Sequence, residues 1–169
     1  SELEEFNVTL ITGDVTDKQS LLAAMDGCDW IANLANVYSF WEPCKDVYAQ
    51  VNIEGTRNVM EAALETGVAK IAHMSSVVTY GKPKALPFAE DTLEGPFRFS
   101  EYARTKHEGD LIAWKLLEEQ GLPVLMIYPG GVLGPGDVKS SGQYVLDLIN
   151  RGLPTRVHEN STMSWVHVK

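Results

Sequence analysis

Short apolar runs that alternate with helical segments constrain the fold of this chain more than any other feature. The runs are rich in β-branched and apolar residues, which predicts strands at residues 7–12, 29–35, 69–76, 123–129 and 164–168. They are apolar throughout rather than alternating, and this is typical of a parallel sheet covered on both faces. The alternation therefore predicts an α/β fold with a doubly wound parallel sheet.

Helices are predicted between these strands. A short helix follows a cap at Thr16 or Asp17, and a long helix ends at Gly67. A third helix, after a loop rich in Pro and Gly over 81–99, stops at Gly121. The sequence GGVLGPGD that follows the fourth predicted strand indicates a loop, and a short helix is expected at 142–152.

Charge and composition exclude several classes of function. The formal net charge of −9 argues against nucleic acid and anionic membranes as main partners, because both are bound through Lys and Arg. Cys28 and Cys44 are too few for a disulfide framework and fit no metal motif. No apolar run reaches the about 20 residues that cross a bilayer, and no signal segment opens the chain. We expect a cytoplasmic protein without a metal.

Chemically useful residues follow the predicted strands. Ligands of open α/β sheets bind beyond the carboxyl ends of the strands, which here are 13–14, 34–36, 74–76 and 129–131. Tyr102 and Lys106 are four residues apart and share one helix face. Taken singly, Asp14 is better explained as a turn or cap residue, and Tyr102 with Lys106 as a solvated pair. Ser75 and Ser76 could simply end a strand, and Asn52 inside a helix would normally face solvent.

The order of the motifs is more specific than any one of them. GDVTD, NLAN, VNIEGTRNV, MSSVVTYG, YARTK, YPGGVLGPGD and WVHVK occur in this sequence, each at a strand end or helix start. In this order the chain resembles the extended short-chain dehydrogenase/reductase family, in its branch of NAD-dependent epimerases/dehydratases and dihydroflavonol-reductase-like enzymes. The resemblance covers essentially the whole chain and implies a Rossmann-like fold.

The resemblance also implies site residues. Tyr102 matches the catalytic acid/base, Lys106 its partner and Ser76 the catalytic hydroxyl. The cofactor, NAD or NADP, would contact Asp14, Val15, Leu34, Ala35, Asn36, Asn52, Ser75, Tyr102, Lys106, Pro129, Gly130, Gly131 and Val132. Tyr38, Trp41 and Arg98 are candidate substrate contacts. A nearby ammonium is expected to lower the pKa of Tyr102 from about 10 toward neutrality.

Departures from the family pattern set the expected extent of the domain. The chain has no G-x-x-G-x-x-G loop, begins where the third strand of the family begins, and stops at WVHVK. Tyr128 stands where the family often has Arg. Residues 1–169 are therefore expected to be a partial NAD(P)-binding domain that lacks the first strand, first helix and second strand, with the substrate-binding portion mostly absent.

The implied activity is that of an enzyme, an NAD(P)-dependent oxidoreductase that moves hydride between nicotinamide and a secondary alcohol or ketone. Two alternatives stay open: a nucleotide-sugar epimerase or dehydratase with the same site, and a non-catalytic binding protein on this scaffold. The expected partner is a small-molecule substrate. The apolar helices 44–65 and 100–119 also suggest a homodimer, because related enzymes often pair these helices.

Overall fold

The computed structural model describes most of the chain, in two compact units that divide after Ile127. The described residues are 6–82, 87, 89, 95, 97–137, 140–152 and 164–168. Much of the predicted loop at 81–99 lies outside them. In the described ranges no helix has the length and hydropathy needed to span a membrane.

A parallel three-stranded sheet organises the first unit. Its strands are β1 (Trp30–Asn33), β2 (Lys70–Met74) and β3 (Val124–Ile127), in the spatial order β1-β2-β3. Both pairings are parallel, and the register sets Asn33 opposite His73. The α/β class and the parallel sheet predicted from the sequence are confirmed.

The helices of this unit begin and end at residues with clear capping roles. Helix α1 (Lys18–Met25) has Asp17 as its N-cap, and helix α4 (Glu101–Gln120) has Ser100. The long predicted helix is divided into α2 (Asp46–Tyr48), a π-helical segment (Ala49–Gly55) and α3 (Thr56–Thr66). Gly67 and Gly121 end α3 and α4 with φ of 69° and 71°, which glycine adopts without strain.

The core lies between one face of the sheet and these helices. Its fully buried side chains include Met60, Ile71 and Leu122. Met25, Val59, Ala62, Ala63, Val68, Ala113 and Leu116 complete it. On the other face of the same strands, Trp30, Leu125 and Ile127 are exposed.

The strand predicted at 7–12 is wrong. Within the described residues this segment forms no ladder, and Val8, Leu10 and Ile11 are each more than half exposed. Such a run becomes a strand only where a neighbouring strand supplies hydrogen bonds and a surface to pack on. The β-branched composition of this segment is therefore not sufficient to make it a strand.

The second unit contains helix α5 (Ser140–Arg151) and two short parallel strands. Strand β4 (Gly131–Leu133) pairs with β5 (Trp165–His167), so the prediction of a loop over GGVLGPGD is wrong for residues 131–133. Gly130 allows a close approach, since a Cβ there would lie 2.5 Å from the Ser164 carbonyl oxygen. The predicted last helix and last strand are confirmed within one or two residues.

Candidate active site

Helix α4 carries the two residues that the sequence singled out. The Ser100 side chain accepts a hydrogen bond from the Ala103 backbone N–H at 3.1 Å, which starts the helix. Tyr102 then lies in the first turn and Lys106 one turn later. Both are buried, with 5% and 1% of their surface exposed, so they are not a solvated surface pair.

The end of β2 supplies the hydroxyl. Ser76 follows the strand and caps a 3-10 helix (Val77–Tyr80), with its Oγ accepting from the Val78 N–H at 3.4 Å. The Ser76 side chain interacts with the Tyr102 phenol and favours its ionised form. The Lys106 amine donates to the Met74 carbonyl oxygen at 2.7 Å. The structure therefore brings together the three residues expected to be catalytic.

Burial dominates the protonation of this group. Loss of hydration raises the pKa of Tyr102 to about 12, although the interaction with Ser76 opposes the rise. Burial lowers the pKa of Lys106, while the Asp110 carboxylate raises it. The expectation of a lowered Tyr102 pKa is wrong, because desolvation of the phenolate outweighs the favourable interactions around it.

Two aromatic rings flank the phenol. Tyr38 and Phe40 meet the Tyr102 ring edge-to-face, with centroids 5.5 and 6.0 Å away. Tyr38 was expected near the substrate, and Phe40 was considered either as a pocket residue or as a packing residue. Trp41, the other expected contact after this strand, is 75% exposed. The rings of Tyr38 and Phe40 therefore form an apolar surface next to the phenol.

Asn52 links the loop after β1 to α4. Its Oδ1 accepts from the Val37 N–H at 2.8 Å, and its Nδ2 donates to the Thr105 hydroxyl at 3.1 Å. It is 1% exposed and sits in the π-helical segment, a geometry often found at functional sites. The side chain therefore does not face solvent, and it fixes the loop that carries Tyr38.

The other residues expected to meet the cofactor are distributed over both units. Asp14 is exposed, and its Oδ1 accepts from the N–H and the hydroxyl of Thr16, which lowers the pKa of the carboxyl. Val15 packs against Gly55, where a Cβ would come within 2.8 Å of Val15 Cγ2. Pro129, Gly130, Gly131 and Val132 belong to the second unit, in which Gly131 is buried and Val132 exposed.

The end of β1 presents exposed backbone and one unusual amide. Leu34 and Ala35 are exposed, and Asn36 donates to the Leu34 carbonyl oxygen at 3.0 Å. The Asn36 Oδ1 atom is buried and accepts no hydrogen bond from any described residue. A buried acceptor of this kind fits a ligand that donates hydrogen bonds.

Two residues that were expected to contact the cofactor or the substrate form hydrogen bonds within the protein instead. Ser75 is 3% exposed, and its hydroxyl donates to Asp110 Oδ2 at 2.6 Å rather than joining Ser76 and Tyr102. Arg98 lies 3.0 Å from the His107 ring nitrogen. Asp110 was not predicted from the sequence. Its spacing of four residues from Lys106 and eight from Tyr102 nevertheless puts all three on one helix face.

Comparison with known proteins identifies the family. The family model of the NAD dependent epimerase/dehydratase family matches residues 1–169. The chain belongs to this family. The members are enzymes, and the family description names NAD, one of the two cofactors expected from the sequence.

Individual relatives agree with this membership. The chain is 25% identical over 171 residues to a putative dihydroflavonol 4-reductase of Synechocystis, covering 99% of this chain and 49% of the relative. It is 29% identical over 182 residues to human 3 beta-hydroxysteroid dehydrogenase type 7, covering 95% and 49%. The predicted extended short-chain dehydrogenase/reductase branch is confirmed. The chain thus spans about half the length of these two relatives.

A solved structure supports the fold. The dTDP-glucose 4,6-dehydratase of Streptomyces venezuelae, solved with NAD bound, superposes with a TM-score of 0.77 at 25% identity. The match covers 92% of this chain and 49% of the dehydratase. The Rossmann-like fold expected from the motifs is thereby confirmed.

Proposed function

We propose that this chain holds the proton-transfer residues of an NAD-dependent oxidoreductase that interconverts a ketone and a secondary alcohol. The interaction of the Ser76 side chain with the buried Tyr102 phenol is the observation that carries the proposal. It joins a hydroxyl at a strand end to a phenol at a helix start, with an amine one turn further on. These are the groups needed to bind and protonate a carbonyl oxygen.

Tyr102 acts as the general acid. Because its pKa is raised to about 12, the phenol carries its proton at neutral pH, which is the form required for ketone reduction. The phenol donates this proton to the substrate oxygen as negative charge develops there. Ser76 hydrogen-bonds the same oxygen, and the edges of Tyr38 and Phe40 limit the water around it.

The bound NAD supplies the hydride for reduction or accepts it in the reverse direction. Asp14 and Val15 would hold its adenine end, and residues 34–36 its ribose and phosphates. The Asn36 Oδ1 atom has no donor among the described residues, so it suits a ribose hydroxyl, which can donate to it. Lys106 would bind the ribose next to the nicotinamide.

A second candidate is a nucleotide-sugar epimerase or dehydratase. The likeness to dTDP-glucose 4,6-dehydratase, which was solved with NAD bound, favours it. The two functions differ in redox balance. A reductase consumes one NADH for each ketone reduced, whereas an epimerase or dehydratase returns the hydride and consumes none.

The test is an assay of the intact protein that contains this chain. We expect oxidation of NADH, followed by absorbance, with at least one hydrophobic ketone such as a dihydroflavonol or a 3-ketosteroid. Product formation from a nucleotide sugar without net change in NADH would instead establish the second function. No turnover and no NADH binding in a folded protein would contradict both.

We also propose that α4 contributes to a homodimer contact. Leu111 and Trp114 on this helix are 52% and 39% exposed, which is large for apolar side chains. The corresponding argument for α3 does not hold, since Ala62 and Ala63 are buried in the chain's own core. Light scattering of the intact protein should give twice the monomer mass, and a monomer at micromolar concentration would contradict the proposal.

A further inference from the structure

A buried polar cluster lies behind the proposed catalytic residues. Its members are at most 6% exposed and come from β1, from β2 with the residue after it, and from α4: Asn33, His73, Ser75, Lys106 and Asp110. Asp110 is the one acidic side chain among the buried residues that the structure describes. Burying a carboxylate costs free energy unless the group has partners, so the contacts of Asp110 are important for the stability of this cluster.

Three consecutive residues at the end of β2 contact three positions of α4 that are one helical turn apart. The Met74 carbonyl oxygen accepts from Lys106 at 2.7 Å, and the Ser75 hydroxyl donates to Asp110 at 2.6 Å. The Ser76 side chain interacts with Tyr102. The contact between Ser75 and Asp110 therefore lies directly beside the contact that holds Lys106.

The protonated nitrogen of the His73 ring faces Asp110. The Asn33 Oδ1 accepts from the Ala35 N–H at 3.3 Å, so its Nδ2 is the donor to His73 Nδ1 at 2.9 Å. A neutral imidazole that accepts at Nδ1 carries its proton on Nε2. That nitrogen lies 3.6 Å from Asp110 Oδ1, which is beyond hydrogen-bond distance, so the two groups are neighbours in the buried cluster.

We propose that Asp110 is a positioning residue, whose carboxylate holds the end of β2 against α4 and supplies the counter-charge that keeps the buried Lys106 amine protonated. The role in turnover rests on the proposed function, whereas the electrostatic link to Lys106 does not. The Asp110 charge favours the protonated amine, and it lies on the same helix face one turn away. The other titratable groups facing this pair are His73 and Tyr102, with Tyr38 beyond the phenol.

The first measurement is the pKa of Lys106 in the intact protein, from the ¹⁵Nζ chemical shift after lysine labelling. A spectrum of Lys106→Met assigns the signal. Asp110→Asn keeps an acceptor for Ser75 but removes the charge, and the pKa of Lys106 should fall by about one unit or more. Ser75→Ala is the matched control, because it removes the hydrogen bond and keeps the carboxylate. An unchanged pKa in Asp110→Asn, or an equal fall in Ser75→Ala, would overturn the proposal.

The second measurement covers the case in which Asp110→Asn does not fold. The double variant Lys106→Met/Asp110→Asn removes both charges, so it should be more stable than Asp110→Asn alone. A double variant that is no more stable than the single one would overturn the electrostatic link.

Turnover completes the test. In Asp110→Asn, the pH above which turnover declines should move down by the same amount as the pKa of Lys106. A purely structural role would lower turnover at all pH values alike and would contradict the proposal. If the wild-type protein has no activity at all, the proposed function fails, while the pKa and stability measurements still decide the link between Asp110 and Lys106.

Discussion

Replacing Gly109 by Ala should destabilise the protein by moving α4. A Cβ at Gly109 would lie 2.5 Å from the Asn52 carbonyl oxygen and 3.2 Å from the Thr56 hydroxyl oxygen. The first atom belongs to the backbone and cannot rotate away, so the helix itself must shift. Overpacking of this kind costs about 1–3 kcal/mol, and the better helix propensity of Ala returns about 0.5–1 kcal/mol. We expect a net loss of roughly 1–2 kcal/mol.

Denaturant unfolding of the intact protein measures this loss. Glu118→Ala is the control, since it lies on the exposed end of the same helix and should change stability by no more than about 0.5 kcal/mol. Turnover should also fall in Gly109→Ala, because the shifted helix carries Tyr102 and Lys106. A Gly109→Ala protein as stable as wild type would refute the close packing described here.

Two further predictions concern stability. Ser100→Ala removes the N-cap of α4 and should cost about 1 kcal/mol in thermal or denaturant unfolding; no change would mean that the cap is not formed. Burial lowers the pKa of His73 below its ordinary 6.5, so the unfolded chain takes up this proton first as pH falls. Stability is therefore fully present above about pH 6.5 and declines below it. His73→Gln should reduce that decline, and an identical pH profile in the variant would contradict a buried neutral imidazole.

The part of the fold that depends on local sequence could be predicted. The apolar runs around β1, β2 and β3 and the glycines after α3 and α4 gave these elements nearly correct positions. Elements that depend on distant partners could not. Residues 7–12 have strand composition but no ladder among the described residues, and β4 forms from a turn-like sequence because β5 pairs with it.

The site divides in the same way. Helical spacing put Tyr102 and Lys106 on one face, and the motif order pointed to Ser76. Spacing alone carries no information about desolvation, so the direction of the Tyr102 pKa shift was wrong. Asp110 was missed because its role comes from contacts with β2, which are far away in sequence.

The Tyr102→Phe variant of the intact protein tests the central claim most directly. Only the phenol oxygen is lost, and the ring that meets Tyr38 and Phe40 is kept. Turnover should fall by about 10²–10⁴-fold, the usual contribution of a general acid. NADH binding, followed by fluorescence titration, should be nearly unchanged. Tyr38→Phe is the control and should keep most of the turnover. Turnover close to wild type in Tyr102→Phe would contradict the assignment of Tyr102 as the proton donor.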